Sequence, residues 1–260
     1  MSEETVDRII DPLFATLYSA RTLMNQTAPS PMTIVDPNAR DRVAAEVRQF
    51  LDGKTTAFEF DDAIFDIESN DPTVNEIVDC LWYHYDDCKD HLVTLSKPEW
   101  DCFQRLLLIL ESDRHVITEC NRTHWGLTQL VALVALVGFA LCVWQFGLGI
   151  QLLAIAIPFG VISMGISVWR HFSQPQPDNA AIALTPFSSF AELRATYTSV
   201  GKFRKTPYRH ELTDASIRSP FMNTIIWIPN YMSWLMFSPF VLFFQMLPHR
   251  DYKTRVVAST

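Results

Sequence analysis

RTHWGLTQLVALVALVGFALCVWQFGLGIQLLAIAIPFGVISMGISVWR, residues 122–170, is the stretch that decides the fold. Arg122 and Arg170 bracket 47 residues without Asp, Glu, Lys or Arg, and only His124 and Cys142 are titratable between them. A bilayer core takes ~20 apolar residues per helix. The stretch therefore fits two spans, about 125–146 and 151–169. Gln145-Phe146-Gly147-Leu148-Gly149-Ile150-Gln151 between them reads as a tight turn. Arg114 and Arg122 precede the first span, Arg170 follows the second, and the turn is uncharged. By the positive-inside rule both ends of the hairpin face the cytoplasm. Ala156 and Gly160, and Ser163 and Ser167, are spaced for close helix approach, and Pro158 should kink the second span.

Working outward, a second apolar stretch runs from 221 to 247 without a charge. Pro229-Asn230 and Pro239 cut it, and Trp227, Tyr231 and Trp234 share one helical face. A basic tail, 249–260, carries Arg250, Lys253 and Arg255. A full third span would carry that tail outside, so the expected element, 220–248, is a broken interfacial or re-entrant one returning to the cytoplasmic side. Trp125, Trp169, Trp227, Tyr231 and Trp234 are the expected membrane-interface aromatics.

The 260 residues carry a net charge of -8, but the charge is divided. Residues 1–122 hold 24 acids and 11 bases, whereas 123–260 hold 5 acids and 10 bases. Net acidity argues against a nucleic-acid partner. The N-terminus is acidic and no apolar run follows it, so no secretory leader is expected.

Residues 1–120 read as an acidic, all-helical cytoplasmic bundle. Asp36-Pro37 and Asp71-Pro72 pair an N-cap with an N1 proline, and Ser96 with Glu99 has the capping-box spacing. Apolar stripes follow each start: Val43, Val47, Phe50 and Leu51; Val74, Ile77, Val78, Leu81, Trp82 and Tyr85; Trp100, Phe103, Leu106, Leu107 and Leu110. Further helices are expected over 6–23 and 56–67, and no β-hairpin signal is present. The fold class is all-α: the bundle, then a transmembrane hairpin within 121–172, a basic cytoplasmic lobe over 173–219, and the C-terminal broken element. Arg170, Lys202, Arg204, Lys205, Arg209 and Arg218 are the candidate contacts to anionic lipid headgroups. The acidic bundle is expected to dock on this basic lobe.

The densest chemistry lies in Cys80-Leu81-Trp82-Tyr83-His84-Tyr85-Asp86-Asp87-Cys88-Lys89-Asp90-His91. On one helix, Cys80, His84, Cys88 and His91 would share a face with Asp87, a ligand set zinc accepts, which Cys102 or His115 could complete. The alternative reading is a solvated acidic face beside small buried thiols. No phosphate loop, nucleophile elbow or His-Glu-x-x-His motif occurs, and no cofactor is expected. Five cysteines, four before the first span, suit free thiols in a reducing compartment. The leading expectation is a non-enzymatic integral protein of a bacterial inner membrane. Its partners would be the bilayer, an unidentified protein and, as an option, further copies of itself. A membrane-surface enzyme using the 72–92 helix and a small oligomeric channel are the alternatives.

Overall fold

The computed structural model describes residues 35–85, 89–147, 149, 151–173, 184–209, 217, 225, 229 and 231–258. The expected helix over 6–23 lies outside them. The chain is mostly helical. Its elements are α1 (Pro37–Leu51), α2 (Ala57–Phe65), α3 (Pro72–Leu81) with a 3-10 turn (Trp82–His84), α4 (Lys97–Leu110), β1 (Arg114–His124), α5 (Leu127–Phe146), α6 (Gln151–Ser173), α7 (Phe190–Val200), α8 (Ser238–Met246) and β2 (His249–Ala258). It divides into two compact units. One takes its described residues from Ser30–Glu119, Pro177–Ser219 and Tyr252–Thr260, the other from Cys120–Gln176 and Pro220–Asp251.

In the first unit, local chemistry starts each helix. Asp36 Oδ1 accepts the Ala39 N–H at 3.1 Å, and Asp71 Oδ1 accepts the Thr73 N–H at 2.9 Å, each one residue before a proline. Thr56 and Glu59 cap α2 reciprocally. Such caps contribute about 1 kcal/mol each. Gly53, at φ 68°, turns the chain after α1 through a conformation that side chains with a Cβ avoid. The four helices bury Val47, Phe50, Phe60, Ile77, Leu81, Trp100, Phe103 and Leu107. Phe50 and Phe60 stack with ring centroids 4.6 Å apart.

A buried ion pair ties the helix starts together. Arg40 Nε donates to Asp71 Oδ2 at 2.6 Å, and Arg40 Nη1 donates to the carbonyls of Ser112 and Arg114 at 2.6 and 2.8 Å. The residues around α7 pack on α4: the Trp100 indole donates to the Thr206 carbonyl at 3.2 Å, and the Thr206 N–H donates to Gln104 Oε1 at 2.9 Å.

The second unit is built from α5, α6 and the segment 231–246. Gln151 Nε2 donates to the Phe146 carbonyl at 2.7 Å across the short connection between α5 and α6. Residues 231–236 are helical, the chain turns at Phe237, and α8 follows with Pro239 in its first turn. Ala132, Ala135, Ile166 and Leu242 form the packed centre. Pro158 lies inside α6 without ending it.

The all-α expectation needs one correction. β1 and β2 pair as a two-stranded sheet, and β2 takes up most of the segment read as a basic tail. Both strands contain β-branched residues that suit a pleated surface, among them Val116, Ile117, Val256 and Val257. They lie far apart in the chain, so no turn residues announce the pairing.

Candidate functional site

Cys80, near the end of α3, and Cys102, in the second turn of α4, are brought together where these helices pack. Their side chains are electrostatic neighbours, as are those of Cys102 and His84, the latter from the 3-10 turn after α3. Glu99, one turn before Cys102, faces His84: Nδ1 and Oε1 are 3.9 Å apart. The edge of Phe103 packs on the imidazole, with ring centroids 5.4 Å apart. Both cysteines are half-buried, while the His84 and Glu99 side chains are 21% and 43% exposed. The cluster therefore lies at the rim of the core, within reach of water.

Its charges support one another. The Cys80 thiol and then the His84 imidazolium hold Cys102 down to about 5, against the pull of burial. Cys80 is pushed well up by its contact with Cys102 and by burial, so it stays a thiol. Burial acts against charge on His84, but Cys102 and Glu99 outweigh it and raise the imidazole to about 9. His84 draws Glu99 down to about 2, assisted by its bonds to Ser96. The two thiols titrate as a pair, with Cys102 pulled down and Cys80 pushed up, beside an imidazole drawn up and a carboxyl drawn down. That is the environment that makes a cysteine nucleophilic.

The expected zinc face is arranged differently. α3 ends at Leu81 and the backbone is extended at Tyr85, so helical spacing does not carry from Cys80 to His91. His91 Nδ1 lies 2.6 Å from the Leu92 carbonyl. His115 belongs to the Arg40–Asp71 cluster, with Nδ1 3.4 Å from both Arg40 Nη2 and Thr73 Oγ1. Asp87 and Cys88 lie outside the described residues. Among the described residues no group of three His, Cys, Asp or Glu side chains is placed to hold a metal ion. Cys102 entered the sequence reading only as an optional further ligand, and Glu99 only as a cap. The signal available was the pair of spacings, Cys80 to His84 and Glu99 to Cys102, on two successive helical segments.

No protein family matches the chain, nor does any curated protein or solved structure. The residues alone therefore carry the functional argument.

The basic set divides. Arg170 donates to Thr128 Oγ1 at 3.2 Å and to the Gln245 carbonyl. Lys205 pairs with Asp101 at 3.4 Å, and Arg209 donates to the Asp52 carbonyl at 2.8 Å. Lys202 and Arg204 are exposed, and Arg218 lies outside the described residues. Of the aromatics, Trp125 and Trp169 are exposed. Tyr231 is half-buried, and Trp234 donates its indole N–H to Ser163 Oγ at 3.1 Å. Trp227 lies outside the described residues. The small-residue face of α6 receives the C-terminal segment, Gly160 against Leu235 and the Ala156 carbonyl accepting from Ser238 Oγ at 3.1 Å.

Proposed function

We propose that the chain is an integral membrane protein of a bacterial inner membrane whose cytoplasmic helical domain works through contacts with other proteins, as an adaptor, regulator or assembly factor. The observation that carries the membrane reading is the exposure of two long apolar helices. Over 18 residues each, Leu127–Phe146 and Gln151–Arg170 reach mean hydropathies of 2.3 and 2.1, yet only 17% and 28% of those residues are buried. A core helix of a water-soluble protein would be mostly buried, and side chains such as Trp144, Val134, Leu141 and Val161 would form an aggregating surface in water. Twenty helical residues extend about 30 Å, the thickness of the hydrocarbon core.

α5 and α6 then form a hairpin with both ends in the cytoplasm, where Arg114, Arg122 and Arg170 lie. α8, at nine residues, extends only about 14 Å. Such a helix suits an element that enters and returns, packed on α5 and α6. The cytoplasmic part comprises α1–α4 with the lobe around α7. Lys202 and Arg204 remain available to anionic headgroups, each contributing ~1 kcal/mol near the surface. Phe65, which is 80% exposed on α2, supplies an apolar contact for a protein partner.

Two measurements on native membranes test this. Alkaline carbonate should leave the chain in the pellet, and protease should cleave the α1–α4 region only in inside-out vesicles. A photocrosslinker replacing Phe65 should give one discrete protein adduct that Phe65→Ser abolishes when the crosslinker is placed at Phe58. Release by carbonate overturns the membrane reading, and the absence of any protein adduct overturns the interaction reading.

A further inference from the structure

We propose that the outer face of α7 is an interfacial anchor for anionic lipid, with Phe190 and Tyr197 as the inserting rings and Arg194, Lys202 and Arg204 as the headgroup contacts. The inference rests on the membrane reading and adds to it the element that touches the leaflet and the lipid class it takes. Phe190, Arg194 and Tyr197 stand at i, i+4 and i+7 of α7, on one face of the helix. Leu193 and Val200 pack on the core from the other side, where Thr196 is buried. Phe190 is 68% exposed and Tyr197 50%. Single exposed rings are ordinary on a surface in water. Two on one helical face, with bases between and beyond them, make the amphipathic pattern of an interfacial helix. The face is built on a firm support: Tyr197 packs edge-on against Phe203 at 6.0 Å, and the Arg48 guanidinium lies over the Phe203 ring, 6.0 Å from its centroid.

The charge on this face is of one sign. Arg194, Lys202 and Arg204 are exposed, and among the described residues no carboxylate pairs with them. Glu192 is the only acid in α7. Its carboxylate is turned to the helix start, accepting the Ser188 N–H at 2.8 Å and the Ser188 hydroxyl at 2.7 Å. Residues 1–122 carry 24 acids against 11 bases, so an anionic leaflet repels that part of the chain and attracts the α7 face. Connectivity favours the leaflet over a diffusing partner. Residues 174–189 alone join α6 to α7, a leash of about 55 Å at full stretch. Beyond α7 the chain returns to the segment 231–246, so the lobe is tied to the membrane element on both sides. Each base near an anionic leaflet raises surface affinity about fivefold, and three together about a hundredfold.

The test uses the full chain reconstituted in liposomes of phosphatidylcholine, with or without phosphatidylglycerol. A benzophenone amino acid replaces Phe190 or, as a reference, Trp144 on α5, which is 88% exposed. Position 144 should give a lipid adduct in both compositions at any salt, because hydrocarbon surrounds it. Position 190 should give an adduct about tenfold stronger or more with phosphatidylglycerol than without, and one that fades as salt rises. In Arg194→Ser/Lys202→Ser the docked-to-free ratio, read from the salt dependence of that adduct, should fall about 25-fold. Arg42→Ser/Lys54→Ser removes the same charge from other exposed positions and should leave the ratio unchanged. Tyr197→Ser should weaken the adduct at position 190 without altering its salt dependence. Four results would overturn the proposal and leave the membrane reading standing: an adduct at 144 with none at 190, an adduct at 190 indifferent to phosphatidylglycerol, equal losses in the two double variants, or crosslinking of position 190 to a second copy of the chain in place of lipid. No lipid adduct at either position would overturn both.

Discussion

Replacing Arg40 by methionine should remove the charge around which the starts of α1 and α3 are assembled. Arg40 and Asp71 are 2% and 0% exposed and meet at 2.6 Å. The same guanidinium serves the carbonyls of Ser112 and Arg114. Methionine fills the volume of the arginine stem, so the loss is electrostatic and hydrogen-bonding rather than a cavity. Breaking a buried pair by deleting one partner costs about 3–5 kcal/mol. Each orphaned carbonyl would add about 1–3 kcal/mol if it stayed dry. Asp71 and the carbonyls share one site and relax toward water together, so these costs do not sum, and about 4 kcal/mol is expected. That is about a thousandfold in the opening equilibrium. Hydrogen exchange of the full chain in micelles, followed by mass spectrometry over α1 and α3, reads this directly. Burial pushes the Asp71 carboxyl up, but Arg40 and the N–H groups of Asp36 and Thr73 outweigh it and hold it below its usual value. Its contribution is therefore present above that usual value and is lost as pH falls through the folded one. Without Arg40 the carboxyl rises, so the penalty of Arg40→Met should shrink as pH is lowered toward 5. Asp71→Asn keeps a capping oxygen, so the double variant should be milder than the sum of the single ones. Exchange altered less than tenfold in Arg40→Met, or strict additivity in the double variant, would refute the reasoning.

Three further outcomes follow from the geometry. A Cβ at Gly160 would lie 2.6 Å from Leu235 Cδ2 and 3.0 Å from its Cα, whereas one at Gly165 would meet nothing within 4 Å. Thermal unfolding in micelles should therefore show Gly160→Leu destabilised by about 1–3 kcal/mol and Gly165→Leu near neutral. Gln245, buried between Ser163 and Ser167 with bonds of 2.9–3.1 Å, should cost about 1–2 kcal/mol when replaced by leucine, read in the same assay. For the thiol cluster, His84 rises from 6.5 to about 9 and Cys102 falls from 9.0 to about 5. Between about pH 6.5 and 9 the folded state carries the His84 proton and the unfolded state the Cys102 proton, so the pair gives no pH slope there. Below 6.5 the unfolded state binds both protons, and stability should fall toward pH 5; exchange across α4 should report this slope, and Cys102→Ser should flatten it.

Features written in adjacent residues were legible in the sequence. Asp36-Pro37, Asp71-Pro72 and Ser96 with Glu99 each sit at a helix start, because a cap needs only its own turn. The two apolar helices were equally plain, since the absence of charge over 47 residues is itself the signal. The pairing of β1 (Arg114–His124) with β2 (His249–Ala258) was not legible, because a long stretch of chain holding both apolar helices separates the two strands. The end of α3 was also hidden. Trp82 and Tyr85 continue the apolar spacing, yet Tyr85 leaves the helix to set its ring edge-on against Phe60 at 6.0 Å and to donate its hydroxyl to Asp61. Tertiary packing there overrides a period that would otherwise run on. After α7, Lys205 pairs with Asp101 of α4 at 3.4 Å. The closer fit is aromatic and backbone, Tyr208 edge-on to Trp100 and Thr206 bonded to Gln104. Charge counting had no means of finding it.

Glu99 explains why the thiol site was half visible. One carboxylate oxygen closes the start of α4, accepting the Ser96 N–H at 2.7 Å and the Ser96 hydroxyl at 2.6 Å, while the other faces His84. The capping role is local and was readable, whereas the pairing with His84 exists only after α3 and α4 pack. The double use has a mechanical consequence. Glu99 is held by the helix start whatever the charge on His84, so the imidazole can lose its proton without its partner swinging away. Glu99→Gln keeps an oxygen for Ser96 and removes the charge from His84, which makes it the substitution that separates the cap from the cluster. Glu99→Ala removes both, and a loss of α4 stability in that variant reports on the cap before it reports on the thiol.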